Sequence, residues 1–327
     1  MHVCFSMMPT ALSLPGGIDQ RARRAQLRAV GGGAADILRA YARGEQPPHG
    51  FAAALTVADG GSGPVTAADL AVNEWLLQGL EASFPGAPWT LLSEETAAEA
   101  LQLGLPLPGE WLWLLDPLDG TKDFLLGTGE YAVHLALVQR GTPVLGVVVL
   151  PESEELWFGL LPQASTATGE SSLAQPAAGS AWRENRSGER FAPQLSARRC
   201  TGELVLVASR SHRDSRLEQL LAALELGETR VMGSVGGKVA TILRGESDLY
   251  ISLSGSSAPK DWDMAAPEAV LRAAGGAFSH ADGQGLSYNK GDGLQAGCLV
   301  ASHGPNHAEL CQKAAAAMGR IDPTFVL

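Results

Sequence analysis

Trp111-Leu-Trp-Leu-Leu-Asp-Pro-Leu-Asp-Gly-Thr-Lys-Asp-Phe124 is the stretch on which the reading of this 327-residue chain turns. Trp111 to Leu115 is a continuous apolar run of strand length, which is expected to stop at Asp116. Pro117 removes an amide donor and stiffens the turn, and Gly120 permits backbone geometry that other residues resist. Two carboxylates, Asp116 and Asp119, can then fold back toward one point with the Leu118 carbonyl between them. Hard oxygen donors of this kind suit Mg²⁺. The amides of Gly120 and Thr121 would open the next helix or turn, where N–H groups receive phosphate. In isolation the same letters also fit an ordinary turn, because DxxD followed by Gly is common there and Asp caps helices.

Working outward, two more strands are expected at Tyr131 to Gln139 and Pro143 to Leu150, separated by a turn at Gly141. Upstream, Ile18 to Arg43 reads as a helix despite Gly31, Gly32 and Gly33, which a close helix contact explains. Thr66 can cap a second helix through Leu70, Val72, Leu76 and Leu80. Downstream, strands are expected at Glu203 to Ser209 and Asp248 to Ile251, with helices at Asp214 to Leu224 and Gly237 to Arg244. Alternation of this kind implies an α/β (α+β) fold of mixed sheets covered by helices. The chain divides into an N-terminal half (1–160), a polar, weakly periodic insertion expected to be flexible (161–200) and a C-terminal half (201–327).

Three further segments carry acidic residues. Leu92-Ser-Glu-Glu95 places Glu94 just after a short apolar stretch, and Pro64-Val-Thr-Ala-Ala-Asp69 places Asp69 at a helix entrance. Lys260-Asp-Trp-Asp-Met-Ala-Ala266 puts Asp263 where a helix N-cap belongs, with Gly275 as terminator. In the order TAAD, SEE, DPLDGT and WDMAA, these segments resemble the inositol monophosphatase superfamily over nearly the whole chain. DPxDGTxxF and WDxAA are its two signatures.

The resemblance implies a layered αβαβα sandwich and a phosphomonoesterase using two or three Mg²⁺ ions. Glu94, Asp116, the Leu118 carbonyl, Asp119 and Asp263 correspond to metal ligands. Thr121 and Asp69 correspond to the pair that orients and deprotonates the attacking water. Thr121-Lys-Asp-Phe124 is similar to the TKEF of the 3'(2'),5'-bisphosphate nucleotidases, the branch tied to sulfur assimilation. Ser209-Arg-Ser-His212 and Gly233-Ser-Val-Gly-Gly-Lys238 resemble that branch as well. Substrate contacts implied in this way are Gly120, Thr121, Arg210, His212, Ser234, Lys238 and Asp263. The second segment is one residue longer than the nucleotidase pattern, and Gly255 to Trp262 departs from the usual approach to the WD signature. Fructose 1,6-bisphosphate and inositol phosphates therefore stay open as substrates, and a non-catalytic binding module is the rival from another class.

Composition sets outer bounds. A formal net charge of −11 leaves no basic field for a nucleic acid or an anionic membrane, so the small phosphate ester that the resemblance implies as partner would have to be met locally, by metal. Cys4, Cys200, Cys298 and Cys311 are scattered without CxxC pairs, which fits a reducing, cytoplasmic compartment; a monomer or homodimer is the expected assembly. Met1 to Leu14 makes a poor signal peptide, and Met7 or Met8 offers an alternative start. Apolar runs are far short of the ~20 residues of a membrane helix. His134 reads as a satisfied core side chain. His303 and His307 have i,i+4 spacing, but Pro305 argues against the helix a zinc site would need.

Overall fold

The computed structural model describes residues 20–59, 64–162, 179–254 and 258–327. The candidate start sites Met7 and Met8, and residues 163–178 at the centre of the expected insertion, lie outside that set. Two sheets and three layers of helix make the sandwich. α1 (Gln20–Arg43) is followed by the short hairpin β1 (Val57–Asp59) and β2 (Pro64–Thr66), then α2 (Ala67–Ser83). The first large sheet takes β3 (Trp89–Ser93), β4 (Trp111–Asp119), β5 (Ala132–Gln139), β6 (Thr142–Leu150), β7 (Glu155–Leu160), β8 (Ser180–Glu184) and β9 (Arg190–Phe191) in chain order. β3 and β4 are parallel and the other neighbours are antiparallel. Two short helices, α3 (Glu94–Ala100) and α4 (Thr121–Leu125), flank β4 in sequence.

The second sheet is built from β10 (Val205–Ser209), β11 (Glu228–Met232), β12 (Leu249–Ser254), β13 (Ala277–His280) and β14 (Gly297–Ser302), in the spatial order β11-β10-β12-β14-β13. Its helices are α5 (Ser215–Ala223), α6 (Val235–Leu243), α7 (Asp261–Ala273) and α8 (His307–Ile321). α1 and α2 cover the outer face of the first sheet, α6 and α7 lie between the sheets, and α5 and α8 cover the outer face of the second. This is the αβαβα arrangement.

The unbroken apolar run of β4 follows from burial on both faces. Trp113 and Leu115 join Leu27, Leu38 and Leu76 in the outer core, while Leu112 and Leu114 join Val239, Ala265 and Val270 in the central one. Glycines let helices approach more closely than any side chain would allow. A Cβ on Gly33 would lie 2.4 Å from the Trp75 ring, and one on Gly31 would lie 3.0 Å from Val149 Cγ2. The close contact expected of the α1 triplet is therefore made by two of its three members, and Gly32 faces open space. On the other face, Gly146 and Gly159 are cross-strand partners, and a Cβ there would meet the α7 backbone at 2.6 and 2.5 Å.

Two expectations change. The strand that begins at Trp111 does not end at Asp116 but runs to Asp119, with its register against β5 shifting between Asp116 and Asp119. Pro117, which has no N–H for the ladder, sits in that irregularity, and one extra residue is accommodated there. The 161–200 segment is not an unstructured insertion at its C-terminal end, because β8 and β9 extend the first sheet. Trp182 stacks on Phe158 at 5.1 Å between ring centroids, and Arg183 pairs with Glu155 at 2.6 Å. The polar composition concealed a strand whose inward residues are few.

Gly159→Ala should thus lower the free energy of unfolding by about 1–3 kcal/mol through overpacking against α7. Gly32→Ala, which meets nothing, should leave stability unchanged or raise it by up to ~1 kcal/mol. Urea denaturation of both variants checks the pair, and equal effects would show that the α7 contact is not tight.

Candidate active site

The site forms where β4 ends, and local hydrogen bonding explains each side chain's placement. Thr66 caps α2: its Oγ1 accepts from Ala68 N at 3.1 Å and Asp69 N at 3.4 Å. In return Asp69 Oδ2 accepts from Thr66 N at 2.7 Å and from Thr66 Oγ1 at 2.5 Å, a closed capping box. One oxygen of Asp69 is thereby fixed. The other, Oδ1, is 3.3 Å from Thr121 Oγ1, which also lies 3.1 Å from the Leu118 carbonyl. Thr121 has one proton and two acceptors, so its oxygen keeps lone pairs for a third partner.

Gly120 has φ 93°, and a Cβ there would sit 3.2 Å from Glu130 O. That conformation turns the chain from β4 into α4 and carries Thr121 back toward Asp69. Asp116 Oδ1 accepts from Leu118 N at 3.0 Å across the irregularity. Glu94 opens α3 directly after β3, whose Ser93 is the register partner of Leu115, so Glu94 arrives beside Asp116. Asp263 is the third residue of α7 rather than its N-cap. Lys260 holds the cap position, and Asp263 Oδ2 accepts from Lys260 N at 2.8 Å.

Electrostatics mark the cluster. Burial first, and then Asp263, Glu95, Asp69 and Asp119, push Glu94 up to about 9. Burial, followed by Glu94, Asp119 and Asp263, holds Asp116 well above the usual carboxylate range. Burial and Asp119 raise Asp263 to about 7, and burial with Asp69 raises Glu95 to about 7. Asp69 is also raised by burial, against the hydrogen bonds from Thr66. Repelling carboxylates in one cleft need either protons or a cation.

Among the described residues no three acidic, histidine or cysteine side chains converge as they stand on a metal-sized point. Asp116 and Asp263 instead each hold a proton to higher pH than an ordinary carboxylate, because both are buried beside other acidic groups. The donor chemistry, all hard oxygens with mutual repulsion to relieve, fits a small divalent cation that would replace those protons.

The expected substrate contacts divide. Gly120 and Thr121 stand at the start of α4 next to the acidic cluster. Ser234 caps α6, its Oγ accepting from Gly237 N at 3.0 Å, and it is fully buried. Lys238, 1% exposed, donates to the carbonyls of Gly233 and Ser234, and burial lowers its ammonium to about 8. Both side chains therefore brace the 233–238 turn rather than face solvent. Through Gly236 N, which donates to Asp119 Oδ2 at 3.0 Å, that turn reaches the acidic cluster. Arg210, 33% exposed, is clamped by Asp123 and by Glu130 Oε2, the latter at 2.7 Å. His212 is exposed, with its backbone N–H donating to Ser209 Oγ at 3.3 Å.

Several residues here had no sequence signal read as functional. Asp123 was visible only as one letter of TKDF, and Glu130 lies in a loop with no motif. His134 is buried as expected but is not a satisfied core side chain. Its Nε2 is 3.2 Å from Asp119 Oδ2 and its Nδ1 is 3.9 Å from Asp116 Oδ2. His303 and His307 do not share a helix, since α8 begins at His307, and each has its own hydrogen-bond partners.

The chain is similar to several known proteins. The 3'(2'),5'-bisphosphate nucleotidase CysQ of Salmonella typhimurium is 34% identical over 229 residues, covering 69% of this chain and 79% of that protein. The 3'-phosphoadenosine 5'-phosphate phosphatase of Mycobacterium leprae is 31% identical over 231 residues, covering 69% and 73%. Among solved structures, CysQ from Bacteroides thetaiotaomicron superposes with a TM-score of 0.61 at 26% identity, covering 87% of this chain and 98% of that one. The suhB protein of Bartonella henselae shares the fold, with a TM-score of 0.66 at 22% identity over 90% of this chain and 98% of that one. A model of the inositol monophosphatase family matches residues 20–318, and the chain belongs to that family of phosphatases.

Proposed function

We propose that this protein is a cytoplasmic, Mg²⁺-dependent phosphomonoesterase that removes the 3'-phosphate of adenosine 3',5'-bisphosphate, or of its 5'-phosphosulfate analogue. The observation that carries the hydrolytic reading is the Asp69–Thr121–Leu118 arrangement beside four mutually repelling carboxylates. Glu94, Asp116, the Leu118 carbonyl, Asp119 and Asp263 would hold two or three Mg²⁺ ions. When bound, such ions supply charge neutralisation for a phosphate dianion and make water more acidic. Inositol phosphates and fructose 1,6-bisphosphate are the competing substrates.

The chain's own groups handle the proton. Thr121 Oγ1 can accept a proton from the attacking water while passing its own to Asp69 Oδ1. Burial makes Asp69 a better acceptor than a surface carboxylate, and the Thr66 hydrogen bonds stop it rotating away. Thr121 alone is no base, so the two act as a unit. The nucleotide preference is supported by the named nucleotidase relatives and by the TKDF and SRSH segments. Arg210, the candidate contact for the second phosphate, is held beside α4 by Asp123 and Glu130.

Three outcomes are expected. Asp119→Asn should keep the fold by circular dichroism and lose more activity than the roughly 10–100-fold typical of a residue that merely supports a ligand. Near wild-type turnover in saturating Mg²⁺ would remove the ligand role.

The second concerns pH. In metal-free protein the folded-state values of Glu94, Glu95 and Asp263 lie above their unfolded ones. The folded state then binds more protons, and stability falls as pH rises from about 5 through about 9. Melting temperature measured in chelator should therefore decline across that window, and Mg²⁺ should flatten the decline. A profile insensitive to Mg²⁺ would count against the cation.

The third concerns substrate. Purified protein should show a higher kcat/KM for adenosine 3',5'-bisphosphate than for inositol 1-phosphate or fructose 1,6-bisphosphate at fixed Mg²⁺. The reverse order would move the chain to another branch.

A further inference from the structure

His134 takes no part in the mechanism above, yet its surroundings are unusual for a core side chain. It is 0% exposed, and as the cross-strand partner of Asp116 it projects from the same face of the sheet. Its nearest polar neighbours are Asp119 Oδ2 at 3.2 Å, Asp116 Oδ2 at 3.9 Å and the backbone of Trp262, one residue before Asp263. Neither ring nitrogen makes an aligned hydrogen bond. Buried polar groups left without an aligned partner cost free energy.

The space for the ring is specifically provided. A Cβ on Gly236 would lie 2.4 Å from His134 Nε2, so a glycine is required there. The same Gly236 donates its N–H to Asp119 Oδ2. Asp119 thus has one oxygen turned toward Gly236 and His134, leaving Oδ1 for a ligand. We infer that His134 is a positioning residue that orients Asp119 for cation binding. A carboxylate that holds a cation is ionised, and an ionised carboxylate is the stronger acceptor for an imidazole N–H. Cation binding and the His134 contacts therefore reinforce each other. The inference rests on the Mg²⁺ reading above.

The test is Mg²⁺ affinity, read from the Mg²⁺-dependent shift in melting temperature and from calorimetry rather than from turnover. His134→Leu keeps apolar volume and removes both nitrogens. It should raise the Mg²⁺ dissociation constant about 10–100-fold while the metal-free melting temperature stays level or rises. His134→Gln, which restores a donor, should recover most of the affinity. A ring that merely fills the core predicts the opposite, a lower metal-free melting temperature with unchanged affinity, and that result would overturn the inference. Wild-type protein loaded with Mn²⁺ gives a reading that needs no variant. Electron spin-echo spectroscopy should show no directly coordinated imidazole nitrogen, and a strong nitrogen coupling would replace the positioning role with a ligand role. If the wild type itself shows no Mg²⁺-dependent shift, the cation reading falls and takes this inference with it. Equal shifts in wild type and His134→Leu would remove this inference alone.

Discussion

Mutual repulsion among Glu94, Asp116, Asp119 and Asp263 is the constraint that the rest of the structure answers. Four acidic groups in a partly buried cleft drive each other apart, so something rigid must hold their backbones. Each is anchored differently: Glu94 by the parallel pairing of β3 with β4, Asp116 and Asp119 by β4 itself, and Asp263 by the first turn of α7. The packing of α7 on Gly146 and Gly159 brings the last of these to the others. A helix that could ride higher on the sheet would relax the repulsion and disperse the site. Close packing thus converts hydrophobic burial into a fixed excess of negative charge.

Asp69 and Thr121 illustrate a second consequence. The helix cap that starts α2 also fixes Asp69, and the left-handed turn at Gly120 also delivers Thr121. The two groups proposed to activate water are therefore attached to features that the fold needs anyway. The 233–238 turn works in the same way. Lys238 satisfies its two carbonyls from inside, Ser234 caps α6, and Gly236 presents its amide to Asp119. A positive charge is buried there, within the field of Asp119, Asp123 and Glu130, which partly offsets its desolvation.

Much of this was legible in the sequence. DPLDGT combines an apolar run, a proline and a glycine with carboxylates, each of which has a local physical meaning, and the order of four short segments identified the sandwich. Local chemistry also reported Thr66 as a cap. Legibility ended where a property depends on a distant partner. Lys238 and Ser234 look like substrate contacts as letters, but their neighbours turn them inward. Arg210 gives no hint of Asp123 or Glu130, the latter 80 positions away in the chain. His134 was read correctly as buried and incorrectly as satisfied, since periodicity reports depth and not company. β8 and β9 were hidden because a strand at a sheet margin needs few apolar residues to dock.

The position of α7 in the chain has a further consequence, for synthesis. It covers the inner face of the first sheet, where Leu114, Ala136, Val148 and Trp157 lie, yet it follows the last strand of that sheet by roughly 70 residues. At translation rates of roughly 5–20 residues per second, that face emerges from the ribosome about 4–14 seconds before its cover does. A nascent N-terminal portion that folded as it emerged would be a sheet with one face covered by α1 and α2 and the other still wet. Factors that shield apolar surface during elongation have their natural target in that interval, and α7, which closes it, brings the last acidic side chain in the same motion.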